Sequence, residues 1–534
     1  MKTNLSVDRI LTNGRIVTLD DAGTVAEAFA VKDGRIAAVG RADEIAALAA
    51  PGVETVDLEG RLVLPGFIDS HMHPLLYGMD KLKVDCGSKA IRSVDQILDN
   101  IRAAARSLPK GEWVLCSEYK PALLRENRKI HRDELDAVAP DNPVFLPTIH
   151  ALSTNTLGLA AAGITADTPN PQGGHIERTD GRPNGFLSET AVHLLIDRLP
   201  PWTMEDRIRA LELVGEELTE HGVTSVHEAG GVADIPNPEL FRSYQIATRA
   251  GRWKQRAYVM FTINKPEHME DIRRLGFATG FGDDRLRVGC AKLFIDGAFA
   301  LGKAAVYGED GTPTDDRLIW PPDRLREMIR ELNELGWQVA AHAQGDRAID
   351  VTLDGYVLSG KDNPHRNRIE HGGLSTPALQ RRYLENNIPL ATQPNLMHYF
   401  GTAAVAYGKA KLPWVYPFNT LLRLGLRLGG GSDCRATPPH PLMGIWNAVV
   451  RHERKTGAIN NPQERITVDQ AVRLFTRDNA WFSFEEDRKG RIEPGLLADV
   501  VALDRDIYTV DPETIPDTHV DLTLIGGEIV RRTF

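Results

Sequence analysis

Through the middle of the chain, short apolar runs alternate with segments whose apolar residues recur every three to four positions. That alternation is expected of parallel βα units. In Pro322 to Gly336 the residues Leu325, Met328, Ile329, Leu332 and Leu335 form one helical stripe, and Gly336 supplies the stop. The same rules place strands near Gly66 to His71, Thr224 to His227, Arg256 to Phe261, Val288 to Lys292, Gln338 to His342, Arg368 to His371, Pro389 to Gln393 and Leu428 to Asp433. Eight parallel strands close a (β/α)8 barrel, so the expected class is α/β, a distorted TIM barrel.

The ends of the chain read differently. Arg9 to Asp20 and Ala26 to Val39 are apolar runs broken at Asn13-Gly14 and Asp33-Gly34, both hairpin signals, and Asp499 to Asp504 and Leu522 to Val530 repeat the style. Small edge-rich sheets are most simply stable if they pair, which predicts one discontinuous β-sandwich built from residues 1–65 and 481–534, with the barrel over 66–480. The gap after the first barrel strand is too long for a βα connection. It carries its own helix (Val94 to Leu108) and strands (Trp113 to Cys116, Val144 to Ile149), so an inserted subdomain is expected at about 77–200, over the barrel mouth.

Composition narrows the function classes. The chain has 534 residues, a net charge of −10 and no basic excess, which argues against nucleic acid as a partner. Met1 to Asp21 has no unbroken apolar stretch, so neither a signal peptide nor a membrane partner is expected and the cytoplasm is the expected location. The 4 cysteines, Cys86, Cys116, Cys290 and Cys434, lack CxxC spacing, and neither Cys290 nor Cys434 has the separate histidine partner at readable spacing that a thiolate nucleophile needs. A homodimer is the base-rate expectation for assembly.

The chemistry concentrates at strand ends. In Leu64-Pro-Gly-Phe-Ile-Asp-Ser-His71-Met-His73-Pro74, residues i and i+2 share a face, so His71 and His73 project together from an apolar strand. Alone, this spacing is as often a pair of loop histidines. His342, His371 and Asp433 close three further strands, and a TIM barrel carries its catalytic groups at the C-terminal strand ends. Lys292 shares a strand face with Val288 and Cys290, and a buried lysine needs compensation. Either it pairs with a carboxylate such as Asp296, or burial keeps its amine neutral enough to take up CO2 as a carbamate.

These features resemble the amidohydrolase superfamily, and within it the subgroup known as amidohydrolase family 3, which includes the N-substituted formamide deformylases. The likeness spans nearly the whole chain and is carried by Lys292-Leu-Phe-Ile-Asp-Gly297, His342-Ala-Gln-Gly-Asp-Arg-Ala348, Arg368-Ile-Glu-His371, Glu493-Pro-Gly-Leu-Leu-Ala-Asp499 and, in the insertion, Arg132-Asp-Glu-Leu-Asp136 and Ala139-Pro-Asp-Asn-Pro143. The resemblance implies a metal-dependent hydrolase of a non-peptide C–N bond in a small-molecule substrate, with a metal-bridging hydroxide as nucleophile. It implies that His71, His73, Lys292 and Asp433 hold one divalent ion and that a carboxylated Lys292, His342 and His371 hold the second. Zinc is the expected metal, with manganese, iron or nickel as alternatives. Asp433 is the expected general base and then proton donor. Where relatives carry a small-residue, serine-bearing run after Asp296-Gly297, this chain reads Ala298-Phe-Ala-Leu-Gly-Lys303, a change that bears on substrate.

His150, His227, Asp296, Tyr399 and Trp414 are weaker candidates for substrate contact; each is at least as often a packing residue. The long loop Pro394 to Pro417, with its aromatic residues, is expected either as a lid or as ordinary loop packing. A mononuclear deaminase and a small-ester hydrolase are rival readings of the same site. Such deaminases place a glutamate three residues after the fifth-strand histidine, where this chain has Gly345. A scaffold that has abandoned chemistry would have lost ligands, and none is missing here.

Overall fold

The computed structural model describes residues 7–534 apart from 89, 122–123, 149–150, 172, 232–234, 300–301 and 361. His150, offered as a substrate contact, lies outside the described residues. The chain divides into two compact units, Met1–Leu76 with Leu211–Phe534, and Tyr77–Ala210.

The first unit contains an 8-stranded parallel sheet whose strands follow one another in chain order. They are β1 (Phe67–Met72), β2 (Val223–Glu228), β3 (Arg256–Ile263), β4 (Leu286–Phe294), β5 (Val339–Ala343), β6 (Arg368–His371), β7 (Leu390–Thr392) and β8 (Leu428–Gly430). This sheet is the expected barrel, nearly closed. Each expected strand is present within a few residues, and the largest difference is in β8, which ends at Gly430 rather than Asp433. The cause is local: Asp433 takes φ +51, a left-handed conformation that a strand cannot contain.

β1 and β8 are the end strands of the hydrogen-bonded order, and side chains span the seam between them. The amide of Asn479 donates to the carbonyls of Ile68 (2.6 Å) and Gly430 (2.7 Å), and its oxygen accepts the Gly430 N–H (3.2 Å). Asp69 accepts from the N–H groups of His71 and Ser432, each at 3.1 Å. Higher up, Asp433 N–H donates to the His71 carbonyl (2.7 Å) and His73 N–H to that of Cys434 (2.6 Å). The seam therefore fixes β1 against the turn that bears Asp433. Asn479→Leu would leave these buried backbone groups unpaired, at a cost of about 2–4 kcal/mol. Its urea midpoint should fall accordingly; an unchanged midpoint would show that the seam holds without Asn479.

The two ends of the chain meet in a second, smaller assembly. A 6-stranded sheet runs Glu528–Arg532, Val520–Ile525, Val500–Leu503, Leu62–Pro65, Arg15–Val17, Val25–Ala26, so that Val500 pairs with Pro65 and Leu503 with Leu62. A 4-stranded sheet of N-terminal strands faces it, and Leu11, Phe29, Val56, Val63, Val500 and Leu522 share the buried core between them. One turn differs from expectation. Asp33-Gly34 does close a hairpin, with Lys32 opposite Arg35, but at Asn13-Gly14 the chain steps from one sheet to the other. Both pairs use positive φ at the first residue (+58 and +48), so the dipeptide marks the bend and not the pairing.

Residues Pro394–Phe400 form a helix, followed by 3₁₀ turns at Gly401–Tyr407 and Lys409–Trp414, where a long loop was expected. Pro394, preset for the first helical turn, starts it. The second unit has its own 5-stranded sheet and the helix Val94–Ser107, whose Ser93 cap accepts from the Gln96 N–H. Cys86 and Cys116 are buried in its core. Among the described residues, no helix is long and apolar enough to cross a membrane.

Candidate metal centre

Six side chains from β1, β4, β5, β6 and the turn after β8 were expected to converge, and the structure shows how they are held. His71 and His73 leave the top of β1 on one face, with ring centroids 5.5 Å apart. The Nε2 atoms of both lie 3.6 Å from Asp433 Oδ1, and one ligand atom from each of the three residues lies within 4.8 Å of the others. His371 packs on His71 at 4.7 Å between centroids and on His342 at 4.5 Å, so the four imidazoles form a continuous arc.

The outer nitrogens are already committed. His71 Nδ1 lies 2.5 Å from Glu370 Oε2, His73 Nδ1 3.0 Å from the Gly230 carbonyl, and His371 Nδ1 2.6 Å from Gln393 Oε1. With an acceptor at each Nδ1, the proton resides there and the Nε2 lone pair is left to bind a cation. Protonation state agrees: burial, reinforced by the Lys292 charge, holds His71 well below the usual range and takes His342 down to about 3. Burial does the same to His371, with His342 the next cause. Neutral, preoriented imidazoles beside a carboxylate are what a divalent ion requires.

Lys292 sits on β4 among these groups, 0% exposed, and its Nζ has no hydrogen-bond partner among the described residues. The pairing with Asp296, one of the two alternatives for this lysine, is not made. Asp296 instead accepts the backbone N–H groups of Gln344 (3.0 Å), Gly345 (2.9 Å) and Ala305 (3.0 Å), which fastens the turn after β4 to the end of β5. Burial brings the Lys292 amine down to about 8, opposed by the nearby Glu370 and Asp433 carboxylates. Lys292 is thus a buried amine near the histidines, without a hydrogen-bond partner among the described residues to compensate it.

Beneath the arc lies a charged relay that the strand pattern did not reveal. Arg368 donates through Nε to Glu370 Oε1 at 2.5 Å and through Nη2 to the Ser70 carbonyl at 3.0 Å, while Nη1 lies 3.2 Å from His227 Nδ1. Arg368, Glu370 and His227 are all 0% exposed. His227 therefore lies in the barrel interior against Arg368 and Tyr258. The signal was present in Arg368-Ile-Glu-His371, where alternation puts Arg368 and Glu370 on one face and the left-handed turn at His371 (φ +73) brings it round to the same site. Glu370→Gln should weaken metal binding about 10–100-fold, because the amide is a poorer acceptor for the His71 N–H. Competition against a chelator measures this; unchanged affinity would remove Glu370 from the centre.

Tyr399 is half-buried, with Arg454 5.5 Å above its ring, and the Trp414 carbonyl accepts the Ser375 N–H at 3.0 Å. Cys290 donates to Gln338 Oε1 at 2.8 Å inside the barrel, a packing role.

Strand-end histidines, an aspartate and a buried lysine gathered at one end of the barrel make a candidate metal centre. The chain belongs to the amidohydrolase family, whose model matches residues 54–531. It is 31% identical over 547 residues to the N-substituted formamide deformylase of Arthrobacter pascens, covering 97% of each chain. To YtcJ of Bacillus subtilis it is 29% identical over 530 residues, covering 97% of this chain and 98% of that one. Among solved structures, an uncharacterized metal-dependent hydrolase from Pyrococcus furiosus superposes with a TM-score of 0.75 at 25% identity, over 94% of this chain and 100% of that one. The protein is thus an enzyme, a hydrolase of the amidohydrolase family.

Proposed function

We propose that the enzyme hydrolyses an amide-type C–N bond in a small molecule, such as an N-formyl or N-acyl amine, a cyclic amide or a carbamate, at a centre of two divalent ions. His71, His73, Lys292 and Asp433 would hold one ion and Lys292, His342 and His371 the other, with Lys292 carboxylated. The observation that carries this reading is the orphaned Lys292 Nζ inside the arc of neutral imidazoles. A carbamate on that nitrogen would supply two oxygens sharing one negative charge, which the imidazoles lack. The similarity to a formamide deformylase supports the substrate class.

Bound there, zinc or a similar ion supplies a water ionised at neutral pH and an electrophile for the substrate carbonyl. The protein's own part is positioning and proton transfer. Glu370, Gln393 and the Gly230 carbonyl keep the imidazoles in the ligand tautomer. The Asp433 carboxylate takes the proton of the attacking water and returns it to the leaving nitrogen. Its left-handed backbone and the β1–β8 seam hold it beside His71 and His73.

Metal-free protein reloaded with zinc or manganese in bicarbonate buffer, then offered formamides, N-acyl amines, cyclic amides and carbamates, should release amine from at least one class. A fully loaded enzyme inert to all of them sinks the reading. One tightly held ion per chain, indifferent to Lys292→Ala, would favour a deaminase instead.

A further inference from the structure

We infer that the side-chain amide of Gln344, held in one orientation by Tyr416, donates a hydrogen bond to an oxygen of the substrate, and that the pair determines which amides the enzyme accepts. This rests on the amide-hydrolase reading above.

Gln344 lies two residues beyond His342 and directly after the end of β5. Its backbone is clamped at both ends: N–H donates to Asp296 Oδ1 at 3.0 Å and the carbonyl accepts the Leu374 N–H at 2.9 Å. Its Oε1 accepts the Tyr416 hydroxyl at 3.0 Å. Gln344 as a whole is 5% exposed, and its Nε2 group, which has no hydrogen-bond partner among the described residues, is not among the atoms sealed from solvent. With its oxygen taken by Tyr416, the amide is oriented, and its NH2 is a donor able to take an acceptor that displaces solvent.

Tyr416 is fixed just as firmly. Its N–H donates to the Gly373 carbonyl at 3.1 Å, and its own carbonyl accepts Arg451 Nη1 at 3.0 Å. Its φ of +46 is a costly conformation for a bulky residue. His371 and Asp433 are non-glycine residues at the centre that share this left-handed backbone (φ +73 and +51), and strain of this kind gathers where geometry serves function. Burial raises the Tyr416 phenol, and the nearby Asp433 carboxylate pushes the same way, so the hydroxyl stays protonated and keeps donating. Gly373 completes the cradle: a Cβ there would come within 2.6 Å of Gln344 Oε1 and 2.8 Å of the Gln344 carbonyl. The Phe299 ring borders the same spot, stacked on Tyr407 at 4.5 Å between centroids and edge-on to Tyr416 at 6.4 Å. One fixed donor against an apolar wall suits an amide whose carbonyl oxygen is flanked by a hydrocarbon substituent.

The test uses zinc-loaded enzyme and an N-alkylformamide. Gln344→Met should lower kcat/KM about 10²-fold while both ions stay bound, and the isosteric Gln344→Glu should lose a comparable amount. Tyr416→Phe frees the amide to turn and should cost about tenfold in the wild-type background but almost nothing on top of Gln344→Met, because it acts through that side chain. Additive losses, a wild-type kcat/KM in Gln344→Met, or loss of metal from that variant would each overturn the inference. If the wild-type enzyme hydrolyses no amide, the functional reading has failed by itself. Calorimetric binding of the same formamide then decides the pair: about tenfold weaker in Gln344→Met upholds it, and equal affinity or absent binding overturns it.

Discussion

Lys292→Ala should abolish hydrolysis, lowering kcat/KM about 10³-fold or more, and should strip the centre of at least one ion. The reasoning starts from burial. A lysine at 0% exposure whose Nζ lacks a hydrogen-bond partner among the described residues is a destabilising element of the metal-free protein. Removing it should therefore leave the urea midpoint of metal-free protein unchanged or higher, while function collapses. Bicarbonate is the second readout. Depleting CO2 should lower wild-type activity and metal content, both restored by bicarbonate, whereas Lys292→Ala should ignore it. A variant that keeps both ions and its activity would return Lys292 to the role of a buried cation.

Asp433→Asn is expected to lower kcat about 10³-fold, with a smaller effect on KM. Asparagine is the informative replacement because it tolerates the left-handed φ of +51 and preserves the bonds that Asp433 backbone makes to His71 and Ala436. What it cannot do is accept and return a proton. Metal analysis separates that loss from a lost ligand: if the ions remain and the rate falls, the carboxylate is the base. A rate within tenfold of wild type would require another proton carrier.

The barrel was legible because each strand is a continuous buried run bounded by helix signals; β4 and β6 needed nothing more than this rule. That these side chains would gather at one end was legible because the barrel delivers residues at strand ends, so position along the chain substitutes for position in space. What could not be read was everything that depends on the partner across a gap. Asn479 lies on the helix Arg477–Phe482, and nothing in that segment announces that its amide closes a seam between β1 and β8. Asp296 is the instructive case: a carboxylate four residues after a buried lysine invites pairing, yet β4 ends between them and Asp296 faces three backbone N–H groups instead. Tyr416 sat in plain sight within an aromatic stretch, but its importance comes from a left-handed backbone that aromatic residues rarely take, and composition carries no sign of that.

The shared sheet of the two chain ends also dictates an order of events during synthesis. Leu62–Pro65, which leads directly into β1, has Val500–Leu503 as its antiparallel neighbour, a segment made long after it. Until those late residues emerge from the ribosome, the earlier strand presents an unpaired edge and β1 lacks its anchored approach. Closing so large a loop adds little in equilibrium free energy but much in delay. The nascent enzyme should therefore stay sensitive to protease and dependent on holdase chaperones until its final strands are made, acquiring its active site as one of the last acts of folding.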